Sequence, residues 1–458
     1  MDWHMSRSGT SAKPLSAACI AVNHLGYGGK PGELQLAASD PKQWCIDCLT
    51  TPIFSSELPG SKQVLADVTH YNQANKQAKK DGQPLDEKIA SQARKTLRVL
   101  SEDTLRAAIN SEQSIVFRLL DFFSNHFSVS AQGRVMAGLA STLEREAIAP
   151  NLLGNFADML LAVSQHPAML IYLNNENSFG ENSRLGKNKG KGLNENLARE
   201  ILELHTLGVD GGYSQQDVIE LAKALTGWSV QKSLNAEENG FVFRAVGHEP
   251  GARTLLGQRY TQKGVQQAEH MLKDLAGHPK TAEFICKKLI HHFVGELAYP
   301  ELLNTLTQSW LTSQGNLHTV MSALLSSDEL WQLPARTKFK TPREFLISTV
   351  RLLSADNIYG RKNLTGILTD LGQQPFSAGS PAGFSDENQT WLSPTALMTR
   401  ADWANLVAAR FKRINTEALM QDAFAGSLSQ STYQSVLRAE SREQGLALLL
   451  MSPEFQWR

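Results

Sequence analysis

Cysteine is scarce in this sequence. The 458 residues include 4 cysteines, too few for a disulfide framework in a chain of this length. Cys45 and Cys48 form a single CxxC pair. A structural zinc site needs two further ligands, and neither a second CxxC nor a close histidine pair follows. Because two thiols at this spacing also fit one face of a helix, we expect them to pack in the interior.

An excess of charge and long apolar runs are also lacking. Lys plus Arg and Asp plus Glu both number 45, which argues against a general nucleic-acid binder, since such proteins bind mainly by phosphate neutralisation. No apolar run approaches the roughly 20 residues of a membrane span. No long apolar stretch follows a basic start, so no signal peptide is predicted. The default expectation is a cytoplasmic protein, with export open only by another route.

Familiar catalytic motifs are absent as well. The sequence has no Walker motif, no GxSxG, no HExxH and no CxxCH. Gly26, Gly28 and Gly29 are closely spaced, but no strand pattern of the dinucleotide-binding kind precedes them. The sequence therefore contains no familiar motif that would identify a substrate.

Helical periodicity dominates what is present. We predict a mainly α fold, a multi-helix globular array with one small β-hairpin insertion near 241–260. Cap-then-proline signals at Thr341-Pro342 and Ser393-Pro394 mark two helix starts. The predicted helices span 112–127, 135–146, 151–165, 192–207, 215–228, 280–294, 317–327, 343–355 and 394–411.

The chain is expected to form a single helical domain over 1–458, with segment 1–95 as an alternative subdomain. The strand-like stretches 240–246 and 254–260 flank the turn GHEPGAR, which predicts one β-hairpin inserted at 238–262. The polar stretches are interpreted as loops rather than domain boundaries; they lie near 70–88, 174–194, 231–240 and 373–391.

The segment GLNENLAREILELHTL carries acidic residues where its apolar stripe should run. On a straight helix Glu200 falls inside the apolar arc, Asn196 and Glu203 border it, and Thr206 faces solvent. A buried carboxylate is costly unless it is paired, protonated or bound to a metal. The apolar arc consists of Leu193, Leu197, Ile201, Leu204 and Leu207.

Two interpretations of these acidic residues stay open. The structural one is a buried Glu–Arg or Glu–His pair that ties helices together. The functional one is a buried polar pocket of Asn196, Glu200, Glu203 and a histidine, which is catalytic or binds a ligand. In the catalytic version the acting residues are Glu200, Glu203, His205 and Arg199.

A divalent metal ion is the cofactor that such a pocket could hold. Glu200 and His205 diverge on a straight helix, so further ligands would come from elsewhere. His126 lies on the apolar face of 112–127, where a satisfied core histidine is the alternative, and His248 lies in a predicted turn. His126, Glu200, Glu203 and His248 form a mixed nitrogen and oxygen ligand set, and the same four could serve acid–base chemistry without metal.

The chain resembles the bacterial family of unknown function numbered 1800 over nearly its whole length. The most specific stretch is GLNENLAREILELHTLGVDGGYSQQDVIELAKALTGW, supported by FFSNHFSVS, GHEPGARTLLG and PAGFSDENQTWLSP. Asn23 and Arg253 depart from the arginine and lysine usual in the family, which weakens any fixed role for them. The resemblance covers Asn196, Arg199, Glu200, Glu203, His205, Gly208, His126 and His248.

The resemblance implies no established reaction. It does imply a partner, because family members are often encoded beside a second uncharacterised family, numbered 1501, whose members typically carry a twin-arginine export signal. Co-export with this partner would place the chain in the periplasm. The hypothesis of an enzyme or ligand-binding protein therefore stands beside that of a non-catalytic helical partner or export chaperone. The second predicts an Arg199–Glu203 pair and an interface on exposed apolar loops such as 381–391.

Overall fold

Helices make up most of the computed structural model, which confirms the mainly α prediction. The structure describes residues 15–189, 192–334, 336–354, 363–424 and 426–458. The first helices are α1 Ala17–Cys19, α2 Glu33–Ala37, α3 Pro41–Asp47, α4 Ser61–Asp81, α5 Glu87–Asn110, α6 Ser114–His126, α7 Gly133–Leu143, α8 Phe156–Gln165, α9 Pro167–Tyr172, α10 Arg184–Lys189, α11 Asn196–Glu200 and α12 Gln215–Leu225.

The second half of the chain continues the same pattern after two short strand pairs. The strands are β1 Trp228–Gln231, β2 Gly240–Phe243, β3 Arg253–Leu255 and β4 Gln258–Tyr260. The helices are α13 Val265–Ala276, α14 Pro279–Phe293, α15 Pro300–Thr312, α16 Leu317–Ser326, α17 Pro342–Leu353, α18 Leu364–Asp370, α19 Asn388–Trp391, α20 Pro394–Ala408, α21 Thr416–Phe424, α22 Gln430–Leu437, α23 Arg442–Leu450 and α24 Pro453–Gln456.

Two long helices, α4 and α5, pack on each other and on α7. The prediction of a loop near 70–88 is therefore wrong, because residues 70–81 continue α4. The segment is rich in Ala, Gln and Lys, which are good helix formers. Burial in α4 ends at Val68. No apolar stripe marks the outer half of the helix, so the periodicity that reveals the other helices is missing there.

Helix starts follow the local signals in the sequence. The Thr341 hydroxyl accepts the backbone N–H of Glu344, whose carboxylate accepts the backbone N–H of Thr341. Ser214 and Asp217 form a second reciprocal pair at the start of α12. These capping boxes satisfy N–H groups that have no partner within the helix. The first of them places Arg343 and Glu344 at the N-terminus of α17.

The structure confirms that the predicted segments contain strands but corrects which strands pair. Segments 240–246 and 254–260 contain strands, but β2 pairs with β1 and β3 pairs with β4, both antiparallel. Leu256 and Gly257 between β3 and β4 both have positive φ. Two such residues suit the tight turn that matches strand twist. The two strand pairs therefore lie before and after GHEPGAR, and β2 does not pair with β3 across that segment.

A hydrophobic cluster contains buried side chains from Cys19 near one end to Phe455 near the other. The four cysteines are buried and unbonded, which confirms the expectation of interior packing. Near the C-terminus, Trp457 forms an antiparallel bridge with Phe339. Among the described residues, no helix has both the length and the apolar character needed to cross a membrane.

Candidate functional site

The segment with the acidic residues changes its winding halfway. Asn196–Glu200 is α-helical, whereas Ile201–His205 is a π-helix. The Thr206 hydroxyl donates to the carbonyl of Ile201, five residues earlier. A π-turn spaces its hydrogen bonds five residues apart instead of four, so a projection on a straight helix fails beyond Glu200. Thr206, expected to face solvent, is fully buried.

Glu200 and its neighbours form a half-buried cluster. The Oε2 atom of Glu200 is buried and has no hydrogen-bond partner among the described residues. Burial and the nearby Glu203 raise the pKa of Glu200. Glu203 lies 3.4 Å from Arg199, which also contacts Glu195 at 3.1 Å. Asn196 is exposed, which corrects its expected place in a buried pocket; it lies in the first turn, at the surface end of α11.

His248 is held by the backbone near the strand pairs. Its Nδ1 donates to the carbonyl of Thr226 at 2.9 Å, and its ring meets Phe243 edge-on at 5.2 Å. Burial lowers the pKa of His248. The contacts of His248 therefore tie the segment after β2 to the end of α12.

His126 and His205 meet in the core. Both are 2% exposed, and their ring centroids lie 6.0 Å apart. The Nε2 atom of His126 donates to the carbonyl of His205 at 3.2 Å, which leaves Nδ1 as an acceptor. Lys288, on α14, donates to that Nδ1 at 3.0 Å. Burial, followed by the Lys288 charge, lowers the pKa of both histidines, to about 3 for His205. Both imidazoles are therefore neutral at neutral pH.

The structure does not bring the four predicted metal ligands together. No three of His126, Glu200, Glu203 and His248 have ligand atoms within 4.8 Å of one another in the part of the chain that is described. Ring nitrogens of both histidines are engaged by backbone carbonyls, at His205 and at Thr226. These contacts hold each imidazole within its own part of the core.

Another group does meet the 4.8 Å spacing, namely His291, Glu296 and Glu387. His291 and Glu387 lie on the rim of the cavity described next. The Nζ of Lys338 lies 3.7 Å from Glu296 Oε1 and also contacts Asp386. A cation from the chain itself therefore already offsets the acidic charge here.

A cavity of about 790 Å³ opens beside His126. Its walls come from α6, α14, the N-terminus of α17, the turn at 207–210 and the segment 368–387. This volume is typical of small-molecule sites. Gly208 in the turn has φ +84, and a Cβ there would lie 2.8 Å from the ring of Phe284. The close approach of this turn to α14 therefore requires glycine.

Lys288 reaches the cavity wall without a carboxylate partner within 4.0 Å among the described residues. Its polar contact is the Nδ1 of His126, and its Nζ lies 5.4 Å from the ring centroid of Phe284. Burial lowers the pKa of Lys288 to about 8, against the opposing effect of the Asp386 carboxylate. About a tenth of the amine is then neutral at pH 7, compared with well under a thousandth for an ordinary lysine.

A second histidine on the wall is oriented by a carboxylate. His292 Nδ1 donates to Asp386 Oδ2 at 3.1 Å, and Lys338 lies 3.5 Å from the other oxygen. Burial alone would raise the pKa of Asp386, but His292 and Lys338 hold it well below its usual range. Burial lowers the pKa of His292 to about 4. An ionised carboxylate thus fixes the orientation and tautomer of a neutral imidazole, as in known acid–base pairs.

Arginines hold two further acidic residues of the wall. Arg343 contacts both oxygens of Asp121, at 2.8 and 2.7 Å, and the Tyr27 hydroxyl donates to the same carboxylate. Glu344 lies 2.8 Å from Arg458. Burial alone would raise the pKa of Glu344, but the guanidinium of Arg458 helps hold it at about 2. Both carboxylates have a guanidinium partner, in contrast to Lys288, although burial still raises the pKa of Asp121.

The sequence reasoning missed Lys288 and Asp386 and took His292 for a core residue. One signal was available on α14: Phe284, Lys288 and His292 follow at intervals of four, a spacing that puts them on one face of a helix. All three line the cavity. A lysine four residues before a histidine, beside an apolar stripe, is the pattern that could have identified this wall. Asp386, in a loop about a hundred residues later, had no such signal.

The family comparison agrees with the resemblance seen in the sequence. The family model described as protein of unknown function (DUF1800) matches residues 20–457. No curated protein and no solved structure matches the chain. The matched range contains both the acidic segment around Glu200 and the cavity with Lys288. Because the match covers nearly the whole length, the chain belongs to the DUF1800 family of proteins of unknown function.

Proposed function

We propose that this protein is an enzyme that binds a small polar molecule in the cavity and transfers protons through Lys288 and His126. The observation that carries the proposal is the 3.0 Å contact between the Lys288 amine and His126 Nδ1 on the wall of a 790 Å³ cavity. A half-buried ammonium without a carboxylate partner within 4.0 Å in the described part of the chain carries a desolvation cost. A titratable group with a perturbed pKa on the wall of a cavity is a candidate for chemistry.

The two side chains suit an acid–base pair. Neutral His126 presents a lone pair at Nδ1, because its other nitrogen donates to the backbone of His205. Lys288 has its pKa lowered to about 8, close to neutral pH, where proton transfer in either direction is most efficient. The His292–Asp386 pair supplies a second oriented imidazole on the same wall. The cavity thus holds proton donors and acceptors with distinct roles.

The predicted site residues divide between this centre and its surroundings. His126 is part of it, and His205 supports it through its carbonyl group. The other four predicted residues are not among those that line the cavity; they are Arg199, Glu200, Glu203 and His248. In this proposal His205 is a positioning residue, because it acts through His126.

Ligand binding by the purified protein tests this proposal. A panel of small polar metabolites is screened by thermal shift against wild type and against Ala382→Trp, which places an indole at an exposed position of the cavity wall. The matched control is Ala418→Trp, exposed on α21 and away from the cavity lining. A ligand should stabilise the wild type and the control but not Ala382→Trp. Equal stabilisation of all three proteins would show that the cavity is not the binding site.

A second candidate function is a helical partner or export chaperone for a co-encoded protein of the family numbered 1501. The Arg199–Glu203 contact at 3.4 Å favours it, since this hypothesis expects the acidic residues to be paired internally. The expected interface on 381–391 needs correction, because Trp391 is buried and Asn125 binds the backbone of Phe384. Co-expression of the two chains followed by affinity capture tests this function; separate elution at physiological salt speaks against it.

A further inference from the structure

We infer that Lys288 forms a covalent imine with a carbonyl compound bound in the cavity, so that the substrate class of the proposed enzyme is an aldehyde or ketone. This inference rests on the proposed function and deepens it. It uses three placements: an amine on the cavity wall, a base in contact with it, and space in front of it for a small molecule.

The amine meets the structural needs of a nucleophile. Its single hydrogen bond among the described residues goes to His126, at 3.0 Å, so the rest of the amine is free to meet a ligand. No carboxylate within 4.0 Å in the described part of the chain stabilises the ammonium form. The ring of Phe284, 5.4 Å from Nζ, covers one side. Desolvation of this kind is how lysines become reactive toward carbonyl groups.

His126 can carry the proton through each step. The neutral amine attacks the carbonyl carbon, a C–N bond forms, and the carbonyl electron pair moves to oxygen. His126 Nδ1 takes the proton released by the nitrogen and returns it to the oxygen, which gives a carbinolamine. The imidazole then takes the proton that remains on the nitrogen and delivers it to the hydroxyl group, and as the C=N double bond forms the C–O bond breaks and water leaves. The products are an imine and one water molecule, so no oxidant or reductant is needed.

The walls suit a small carbonyl compound with a polar end. Among the residues that line the cavity, Phe122 and Phe284 offer apolar surface, and Ser128 and Ser385 offer hydroxyl groups. A bound ligand excludes water from the cavity, and this protects the imine from hydrolysis. The chemistry fixes the reacting group of the ligand, and the mixed walls allow a short chain beyond it.

Reductive trapping tests the inference. The full chain is incubated at pH 7 with propionaldehyde and cyanoborohydride, and the propylated lysines are quantified by peptide mass mapping. An amine of pKa about 8 has about 200 times the neutral fraction of an ordinary lysine at pH 7, an advantage that its lower basicity reduces. We expect Lys288 to be labelled at least about 10-fold faster than the exposed, adjacent Lys287. Equal rates at the two positions would overturn the inference.

Two variants separate reactivity from folding. His126→Gln should slow labelling of Lys288 about 10-fold while Lys287 keeps its rate, because Gln can bond to Lys288 but cannot shuttle its proton. Lys288→Arg should lose the fast-labelled site altogether. An unchanged rate at Lys288 in His126→Gln would remove His126 from the mechanism and overturn the inference.

The result is distinguishable from failure of the proposed function. If a metabolite stabilises the wild type but not Ala382→Trp, and Lys288 is not trapped, the cavity remains a binding site and only the imine is rejected. If metabolites stabilise Ala382→Trp as much as the wild type, the cavity itself is rejected, and with it the imine.

Discussion

Replacing Lys288 by methionine should change how stability depends on pH. In the folded protein burial lowers the pKa of Lys288 to about 8, whereas the unfolded chain has the ordinary value of about 10.4. The unfolded state therefore holds the proton more tightly. The wild type carries the full penalty of the buried ammonium below pH 8, and loses this penalty as the pH rises toward 10.4. Methionine of similar length carries no such penalty at any pH.

The size of the effect follows from the two pKa values. The penalty is about 3.2 kcal/mol at pH 7 and about 0.7 kcal/mol at pH 10, a difference of about 2.5 kcal/mol. Partial access of solvent to Lys288 makes this an upper value. Methionine also leaves His126 Nδ1 without a donor, at a cost of about 1–3 kcal/mol. That cost is the same at pH 7 and pH 10, since His126 is neutral at both.

Urea unfolding at pH 7, 8, 9 and 10 measures the difference between Lys288→Met and wild type. Relative to wild type, the variant should lose up to about 2.5 kcal/mol of unfolding free energy between pH 7 and pH 10. Lys287→Met, at the exposed neighbouring position, is the control and should show no such trend. A constant difference between Lys288→Met and wild type across this range would mean that the amine is not desolvated, which would refute the reasoning.

Three further predictions concern groups around the site. Burial lowers the pKa of His126 and His205, to about 3 for His205, so stability should fall as the pH drops below about 6.5, by about 2 kcal/mol at pH 5 from His205 alone; urea midpoints that agree at pH 7 and pH 5 would contradict this. Arg343→Met leaves the half-buried Asp121 carboxylate with the Tyr27 hydroxyl but without its guanidinium partner, so it should destabilise by about 1–3 kcal/mol. Adding Asp121→Asn should recover most of the loss in the same thermal melts, and no recovery would show that the pair is not the cause. The raised pKa of Glu200 means that the folded protein disfavours the charged carboxylate, so Glu200→Gln should raise stability at pH 7. The gain should be less than about 1 kcal/mol, because the side chain is half exposed. A lower urea midpoint would reveal a partner for the charge.

Local signals located nine of the 24 α-helices in the described part of the chain. Thr341 and Glu344 lie three residues apart, and their capping box follows from sequence alone. The π-winding at Ile201–His205 has no comparable signal in the sequence, although in the folded chain it occurs together with a hydrogen bond from the Thr206 hydroxyl to the Ile201 carbonyl. That change of winding explains why the position of Thr206 was mispredicted although the helix itself was found, whereas Asn196 is exposed because it lies in the first turn of α11.

The candidate site was predictable only in part. The apolar face of α6 marked His126 as buried, and the structure agrees. Its contact with Lys288 spans 162 residues, and no periodic pattern links two such distant positions. The spacing of Lys288 and His292 on α14 was visible, but a lysine at the edge of an apolar stripe usually extends its amine to solvent. Packing against α6 decides that it does not.

The charged side chains around the cavity differ in whether they have partners of opposite charge, and this difference supports a chemical role for Lys288. Two other charged groups on this wall have partners of opposite charge: Arg343 contacts both oxygens of Asp121, and Glu344 is paired with Arg458. A fold that can pair these charges could also place a carboxylate beside Lys288 or replace it by an apolar residue. It instead places a neutral imidazole there, which leaves the charge of the amine without a partner of opposite sign at that contact, and burial lowers the pKa of the amine. Local rules are broken in this way mainly where function requires it, and the amine is the group at this wall whose reactivity gains from the arrangement.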